Sequence, residues 1–247
     1  MNKRTTRTLT VLGKTELSPH MLRLTLGGPG MSSFPDDQAG AYIKLILPSD
    51  GDKPIMRTYS VRAQRPDALE VDFALHPAEA GPASRWAVGC KVGDEIQVGG
   101  PGGVKRIGPT ADWFLLASDL AGLPALSANL ERLSASARGY AVIEIPSPDA
   151  ELELPVPEGL ELRWLVRGEV SLGDAVRARD WLPGRVSAWV ACELSDMRQL
   201  RTYLRDERQV PKDDLYISSY WKRGITEEAH KVEKRADAEE DARRLAS

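Results

Sequence analysis

Hydrophobic and polar residues alternate with a period of two from about residue 8 to residue 101. In 20–28 (HMLRLTLGG), leucines alternate with Arg23 and Thr25, which is typical of a strand that is buried on one face. The same alternation, bounded by Gly, Pro and Asp, predicts strands at 41–48, 57–64, 69–76 and 94–99. In this half only 82–90 (PASRWAVGC) is predicted as a helix. Short strands separated by turns predict an antiparallel β-barrel or sandwich.

From about residue 112 the pattern changes to continuous apolar strands that alternate with helices. The predicted strands are 113–118, 140–145, 160–166, 188–191 and 214–218, and the predicted helices are 123–133, 173–179 and 195–208. Strands that are apolar on both faces and alternate with helices predict a parallel sheet covered on both sides. The last segment is strongly charged and has Glu227 and Lys231 at the i, i+4 spacing of an exposed helix.

The change of pattern predicts three regions. Residues 1–108 are predicted to form an N-terminal antiparallel β-barrel domain, 109–220 a parallel-sheet α/β domain, and 221–247 a C-terminal helical tail. The boundary between the first two falls in a loop rich in Gly and Pro, at 102–112. Because ligands bind at the carboxyl ends of parallel strands and in clefts between domains, the junction of these domains is the expected binding site.

Composition narrows the classes of function. The chain has 247 residues, with 33 Lys and Arg against 36 Asp and Glu, so its net charge of -3 gives no general attraction to nucleic acid or an anionic membrane. No segment reaches the ~18–20 apolar residues of a membrane-spanning helix, and the N-terminus lacks the apolar core of a secretory signal. Two distant cysteines and three separate histidines indicate neither a disulfide framework nor a protein-bound metal. We therefore expect a cytoplasmic protein. The sequence does not determine the oligomeric state, and we expect a monomer.

The tetrapeptide 57–60 (RTYS) is the most informative motif. On a strand, Arg57 and Tyr59 project from one face, which places a guanidinium beside an aromatic ring. That pair suits a ligand with a phosphate and a flat ring, since the guanidinium grips the phosphate and the phenol stacks on the ring. An exposed Arg next to a Tyr at a barrel seam explains the motif alone equally well.

Two turns are candidates for binding phosphates or a dinucleotide. The segment 81–84 (GPAS) opens the predicted helix of the first half, and a helix N-terminus presents N–H groups that favour a diphosphate. An ordinary helix start with Ser84 near the cap is the simpler interpretation. In the second half, the strand-to-helix turn 117–124 (ASDLAGLP) is the dinucleotide candidate, although its glycine content is low.

Two further segments carry chemistry that suits a ring ligand. Cys192 and Glu193 follow a parallel strand, where they can border a nicotinamide ring or help a proton to move, although a packed and inert cysteine is the simpler interpretation. Trp221 precedes Lys222 and Arg223, and an aromatic plane beside two cations can cover a ring ligand or receive an anionic one.

In order along the chain, these segments resemble the siderophore-interacting protein family, the FAD-dependent ferric-siderophore reductases of the ferredoxin-reductase-like superfamily. The resemblance covers nearly the whole chain and is carried by HMLRLTLGG, YIKLILP, RTYSVR, VDFALH, GPASRWA, VGDEIQVGGPGG, DWFLLASDLAGLPAL, AWVACELS and YISSYWKRG. It implies that the barrel of 1–108 binds FAD, that the α/β domain of 109–220 binds NAD(P)H, and that flavin and nicotinamide meet in the cleft between them.

The resemblance also implies roles for particular residues. The residues implied to contact FAD are Arg57, Thr58, Tyr59, Ser60, Phe73, Ala74, Leu75, His76, Ala83, Ser84 and Trp221. The residues implied to contact NAD(P)H are Asp119, Pro124, Cys192, Glu193 and Ser195. A basic platform for an anionic ferric siderophore is implied at Lys44, Lys222, Arg223 and Lys234. No metal resides in the protein on this interpretation, because the iron arrives with the siderophore.

The resulting hypothesis is NAD(P)H-dependent, FAD-mediated reduction of a ferric siderophore, with release of Fe(II). The segment 146–158 follows the second parallel strand and carries acids but no Lys or Arg, which favours NADH over NADPH as the reductant. One alternative is a general NAD(P)H:flavin or ferredoxin-type reductase. The other is a flavin-containing protein that binds siderophore without turnover, which the unusual turn at 118–121 (SDLA) favours.

Overall fold

The computed structural model describes residues 6–49, 51, 53–75, 81–108 and 110–246. Its first part is an antiparallel sheet of seven strands in the order β4-β3-β7-β1-β2-β6-β5. The strands are β1 (Thr6–Ser18), β2 (Met21–Gly27), β3 (Tyr42–Leu47), β4 (Ile55–Ser60), β5 (Ala63–Arg65), β6 (Ala68–Ala74) and β7 (Glu95–Gly99). Only Val61 and Arg62 join the end strands β4 and β5, so the sheet curls round and brings its two ends together.

The alternation of hydrophobic and polar residues along the strands produces the core of this curled sheet. Its inward side chains are almost fully buried and form one cluster, which includes Leu24, Ile43, Val71 and Phe73. Helix α1 (Pro82–Gly89) packs its Ala83 and Ala87 into the same cluster and closes one end of it. The one predicted helix and the predicted strands of this half are confirmed, except that Val61 and Arg62 interrupt the strand predicted at 57–64 and that residue 76 lies outside the described residues.

The long first strand, β1, is the main element that the hydrophobic pattern does not predict. Its pairing with β2 shifts register between Val11 and Gly13 and again between Glu16 and Ser18. Such bulges move side chains to the opposite face and therefore interrupt a period of two. Only three of its residues, Leu9, Val11 and Ser18, are buried, so the strand carries little apolar signal.

The second part is a parallel sheet of five strands in the order β10-β9-β8-β11-β12. The elements are β8 (Trp113–Asp119), α2 (Leu123–Leu130), β9 (Arg138–Ile145), β10 (Gly159–Val166), α3 (Leu172–Arg177), β11 (Val186–Glu193), α4 (Leu194–Arg201) and β12 (Leu215–Trp221). Every residue of β8 and of β11 is buried, as expected for the centre of a sheet covered on both faces. The predicted fold class is therefore confirmed.

Of the boundaries in this part that differ from the predictions, two lie next to the C-terminal helix. The helix predicted to run to residue 208 is α-helical only to Arg201, and Thr202–Glu207 continue it with wider π-helical turns that end in a bond from Arg208 N–H to Tyr203 C=O (2.9 Å). Strand β12 runs to Trp221, past the predicted start of the tail, because its last residue still pairs with Glu193 of β11. The limits predicted for the three domains stay a prediction.

The two sheets are joined by buried contacts that involve the loop between them. Met21 of β2 packs into the apolar cluster of the parallel sheet. The side-chain amide of Asn129 accepts a hydrogen bond from Ile107 N–H (2.7 Å) and donates to Lys105 C=O (3.1 Å), to which the Trp189 indole also donates (2.9 Å). These bonds fix the loop between the two sheets on α2 and β11.

The charged tail forms helix α5 (Glu227–Ala246), as predicted, but one of its sides is docked rather than exposed. Asp237 accepts hydrogen bonds from Arg198 (2.7 Å) and Arg201 (2.7 Å), and Asp241 accepts one from Arg205 (2.6 Å). Burial raises the pKa of Asp237, but the bonds from Arg201 and Arg198 outweigh it and hold that pKa below its ordinary value. The i, i+4 spacing predicts the helix but does not predict these long-range partners.

The variant Asp237→Asn tests this docking. It leaves Arg198 and Arg201 without the buried carboxylate, and we expect α5 to lose about 2 kcal/mol of local stability, in the range of hydrogen bonds to charged groups. Hydrogen exchange of the α5 amides measures the loss, and the exposed Glu239→Gln on the same helix is the control. Equal protection of α5 in Asp237→Asn and in the control would show that the arginines do not hold the helix.

Candidate functional site

The motif at 57–60 lies on β4, an end strand of the curled sheet. Arg57 and Tyr59 occupy its half-buried face, as the spacing predicts, and Thr58 occupies the exposed face next to Lys44 of β3. Ser60 is buried and lies near Tyr220 of β12, whose pKa it lowers against the larger effect of burial. The motif therefore faces the second sheet.

Aromatic packing connects this strand to the two other segments implied to hold FAD. The Tyr59 ring lies 4.3 Å from the ring of Phe73 on β6, which in turn lies 6.3 Å from Trp86 of α1. Burial raises the pKa of Tyr59 to about 12, while a hydrogen bond with Ser84 acts in the opposite direction. The phenol is therefore neutral at physiological pH. Because Phe73 is fully buried under Tyr59, it supports the exposed part of the site.

The start of α1 provides backbone donors beside Tyr59. The first turn has no side-chain cap, and a Cβ at Gly81 would meet none of the described residues within 4 Å. Ala83 is buried, and the Ser84 hydroxyl lies 3.5 Å from Ala74 C=O. These features fit a diphosphate, which needs unpaired N–H groups that it can approach closely. Of the other implied FAD contacts, Leu75 is half-buried and His76 lies outside the described residues.

At the carboxyl edge of the parallel sheet, the Asp119 carboxylate joins three strands. Its oxygens accept hydrogen bonds from the Trp221 indole (2.6 Å) and from the N–H groups of Glu193 (2.9 Å), Ala121 (2.9 Å) and Gly122 (3.2 Å). Asp119 is 3% exposed, and burial raises its pKa from 3.8 to about 6, although these hydrogen bonds lower it. Four donors satisfy the two oxygens, which favours a positioning role over direct contact with a nucleotide.

The only glycine of this turn is required by a close approach. A Cβ on Gly122 would lie 2.1 Å from Ala191 C=O, so the turn after β8 passes directly over the backbone of β11. Pro124 follows in the first turn of α2 and is buried.

Glu193 and Cys192 are both buried, but their surroundings differ. Burial raises the pKa of the Glu193 carboxyl, but N–H donors from Ser195 and Arg223 (3.2 Å) outweigh it and hold that pKa below its ordinary value. Cys192 is fully enclosed in the core of the sheet, and burial raises the pKa of its thiol well above the ordinary value. The packed, inert interpretation of this cysteine is therefore favoured, whereas Ser195 is exposed at the start of α4.

The basic residues expected to receive a siderophore form two groups. Lys234 donates to Ser218 Oγ (2.6 Å) and Ser219 C=O (2.7 Å); burial first, and then Lys105 and Lys44, lower its pKa. Those three lysines are therefore close to one another, and Lys105 is a member that sequence reasoning missed. The second group is Lys222, which pairs with Glu233, and Arg223.

Sequence reasoning also missed the acids at the start of α5. Glu228 pairs with Arg57, and Glu227 binds the backbone and side chain of Thr58. Within the described part of the chain, no group of three or more His, Cys, Asp or Glu side chains is arranged to hold a metal ion. None of the described helices is long and apolar enough to cross a membrane.

An antiparallel sheet of seven strands followed by a parallel sheet of five strands is the ferredoxin-reductase-like fold. A ferredoxin-NADP+ reductase from Plasmodium falciparum shares this fold, with a TM-score of 0.67 and 13% identity over 89% of this chain and 99% of that one.

More specific matches follow. Residues 10–54 and 49–105 match the siderophore-interacting FAD-binding domain, and residues 111–224 match the siderophore-interacting protein family. The ferric vibriobactin reductase ViuB of Vibrio cholerae is 33% identical over 95% of this chain and 96% of its own length. The siderophore-interacting protein SipS from Aeromonas hydrophila has a TM-score of 0.87 and 32% identity over 96% and 99% of the two chains. The chain belongs to the siderophore-interacting protein family, which confirms the predicted resemblance.

The raised pKa of Asp119 gives a direct prediction. Protonation turns one of its oxygens into a donor, so we expect the Trp221 indole N–H resonance to titrate with a midpoint near pH 6. The folded chain then binds more protons than the unfolded chain between about pH 4 and 6, so Asp119 makes the free energy of unfolding fall as pH rises through that window. NMR of 15N-labelled protein measures the titration.

Two comparisons make the titration specific. The Trp189 indole donates to a backbone carbonyl, so its resonance is the internal control and is expected to stay constant. Asp119→Asn removes the titrating group and is expected to abolish the shift of Trp221. Persistence of that shift in Asp119→Asn would contradict the assignment.

Proposed function

We propose that this chain is an NAD(P)H-dependent, FAD-mediated ferric-siderophore reductase that releases Fe(II). One observation carries the proposal: Glu227, six residues after the end of β12, accepts hydrogen bonds from Thr58 on β4, so the phosphate-and-ring surface adjoins the carboxyl edge of the parallel sheet. A flavin on the first surface and a nicotinamide on the second would therefore be neighbours. Bound FAD supplies the conversion of one hydride from the nicotinamide into single electrons for Fe(III). The proposed location is the cytoplasm, and the proposed acting form is a monomer.

The barrel would hold FAD by several different contacts. Arg57 would grip a phosphate, and the start of α1, with Ala83 and Ser84, would bind the diphosphate. Tyr59, whose phenol is neutral, would pack on the ring system. Trp221 would lie near the flavin, with its indole orientation fixed by Asp119 (2.6 Å).

The carboxyl edge of the parallel sheet would receive the nicotinamide nucleotide. We place it near the turn that holds Pro124 and near Glu193 and Ser195, with Asp119 acting through the groups that it orients. Asp149 stands beyond the end of β9 with its side chain 57% exposed, where an acid favours a ribose hydroxyl and disfavours a 2′-phosphate. This supports NADH as the preferred reductant.

Positive charge supports an anionic iron chelate as the substrate. Lys44, Lys105 and Lys234 gather beside the barrel, while Lys222 and Arg223 follow Trp221. Reduction to Fe(II) weakens binding by hard oxygen ligands, so electron transfer alone loosens the chelate. The proposal needs no protein group to donate a proton in that step.

One observation favours a general NAD(P)H:flavin reductase as a second candidate. Glu227 lies 3.6 Å from Lys44, and Glu233 pairs with Lys222, so carboxylates reduce the positive charge that an anionic chelate would meet. A reductase with a free-flavin or protein acceptor does not need that charge.

The visible spectrum of the purified protein tests the proposed reaction. Under anaerobic conditions, we expect NADH to bleach bound flavin faster than NADPH does, and a ferric siderophore to restore the colour. A flavin that neither nucleotide bleaches would support the non-catalytic binding alternative, and bleaching that no ferric chelate reverses would contradict the substrate.

Neutralising lysines separates the two reductase candidates. We expect Lys44→Gln with Lys222→Gln to raise the KM for an anionic ferric catecholate about five- to thirtyfold, since each lost charge pair in a partly exposed site contributes about 0.5–1 kcal/mol. The KM for an uncharged ferric trihydroxamate is expected to stay within twofold. Lys212→Gln, exposed before β12, is the matched control. An equal change with both chelates would favour the general reductase.

A further inference from the structure

The first turn of α5 places two carboxylates against β4. Glu227 Oε1 accepts a hydrogen bond from Thr58 Oγ1 (2.7 Å), and its Oε2 accepts one from Thr58 N–H (3.2 Å). Lys44 Nζ lies 3.6 Å from the same carboxylate. Glu228 pairs with the Arg57 guanidinium, whose Nε is 3.9 Å from Glu227. These two acids therefore bind a backbone N–H, a hydroxyl group and two cationic side chains of the barrel.

The contacts of Glu227 are sheltered from water, whereas the Glu228 side chain is 59% exposed. The side chains of Glu227, Arg57 and Lys44 are 19%, 17% and 17% exposed. Burial raises the pKa of Glu227, but hydrogen bonds from Lys231 and Thr58 outweigh it and hold that pKa below its ordinary value. Glu227 is consequently a bound carboxylate anion at physiological pH.

The strand explains why this surface attracts an anion. Strand β4 ends the hydrogen-bonded order of its sheet, so the N–H of Thr58 points away from β3 and toward α5. An edge N–H beside a hydroxyl, an ammonium and a guanidinium is a donor set for any oxyanion, including a phosphate.

We propose that Glu227 and Glu228 are internal competitors of the FAD phosphate for Arg57 and Thr58. This inference rests on the proposed function, which assigns the same donors to the cofactor. A guanidinium and an N–H that bind a phosphate must release the carboxylates, so FAD binding displaces the first turn of α5. The acids therefore weaken FAD binding and set how much FAD the protein retains.

The docking of α5 keeps the displacement local. Asp237 and Asp241, about three turns further along, are bound by arginines of α4 and the π-helical turns that follow it. Gly224, which has a φ of +77° and open space around its Cβ position, precedes the helix and allows the chain to adjust there. The first turn can leave β4 while the rest of the helix stays in place.

The test compares the dissociation constants of FAD for the full chain after removal of flavin. We expect Glu227→Gln with Glu228→Gln to bind FAD at least tenfold more tightly than the wild type, by quenching of flavin fluorescence. The charge-matched control is Glu239→Gln with Glu240→Gln, on exposed positions of the same helix. Riboflavin carries the same ring without a phosphate, and its affinity is expected to stay within twofold in every variant.

The outcomes separate this inference from the function on which it rests. Equal FAD affinities in the wild type and Glu227→Gln with Glu228→Gln, or a parallel gain for riboflavin, would overturn the competition while leaving the proposed function intact. Failure of the wild type and all variants to bind FAD would overturn the proposed function itself. As a second measurement, saturating FAD should speed hydrogen exchange at His230 of the wild type, whose N–H bonds Thr226 C=O (2.9 Å) at the start of the helix. Unchanged protection of that amide would contradict displacement.

Discussion

The candidate site depends on the burial of one carboxylate. An ionised acid inside a protein costs several kcal/mol unless hydrogen bonds replace its water, and Asp119 meets that requirement with four donors. Those donors come from the turn after β8, from the end of β11 and from Trp221 at the end of β12. The same bonds that make the burial tolerable therefore set the relative positions of three strand ends.

The second constraint is the placement of acidic side chains on the C-terminal helix. Its side that faces α4 carries acids that bind arginines, and its first turn carries acids that bind the barrel. Helix α5 thus bridges both sheets through ionic contacts rather than a large apolar interface. Ionic contacts of this kind respond to a competing anion, which links the helix to a phosphate-bearing cofactor.

Local pattern predicted much of the fold because the side-chain period reports which face of a strand is buried. It also placed Arg57 and Tyr59 on one face, which the structure confirms. The hydrophobic pattern does not predict β1, where two bulges break the period, and it does not predict that one side of α5 is docked. The contacts of Glu227 with Thr58 join residues 169 positions apart, and no local spacing encodes such a pair.

The candidate site shows the same division between local and long-range information. The strand-end position of Asp119 was predictable, but its saturation by Trp221 and Glu193 depends on how three strands align. Lys105 lies in a loop whose sequence gives no sign of its neighbours, and only the folded chain gathers it with Lys44 and Lys234.

A crystal structure of the chain with FAD tests the central claim most directly. We expect a flavin ring against Tyr59, a phosphate on Arg57, and Glu228 out of hydrogen-bonding distance of that guanidinium. A flavin bound elsewhere, with the pair of Arg57 and Glu228 intact, would contradict it.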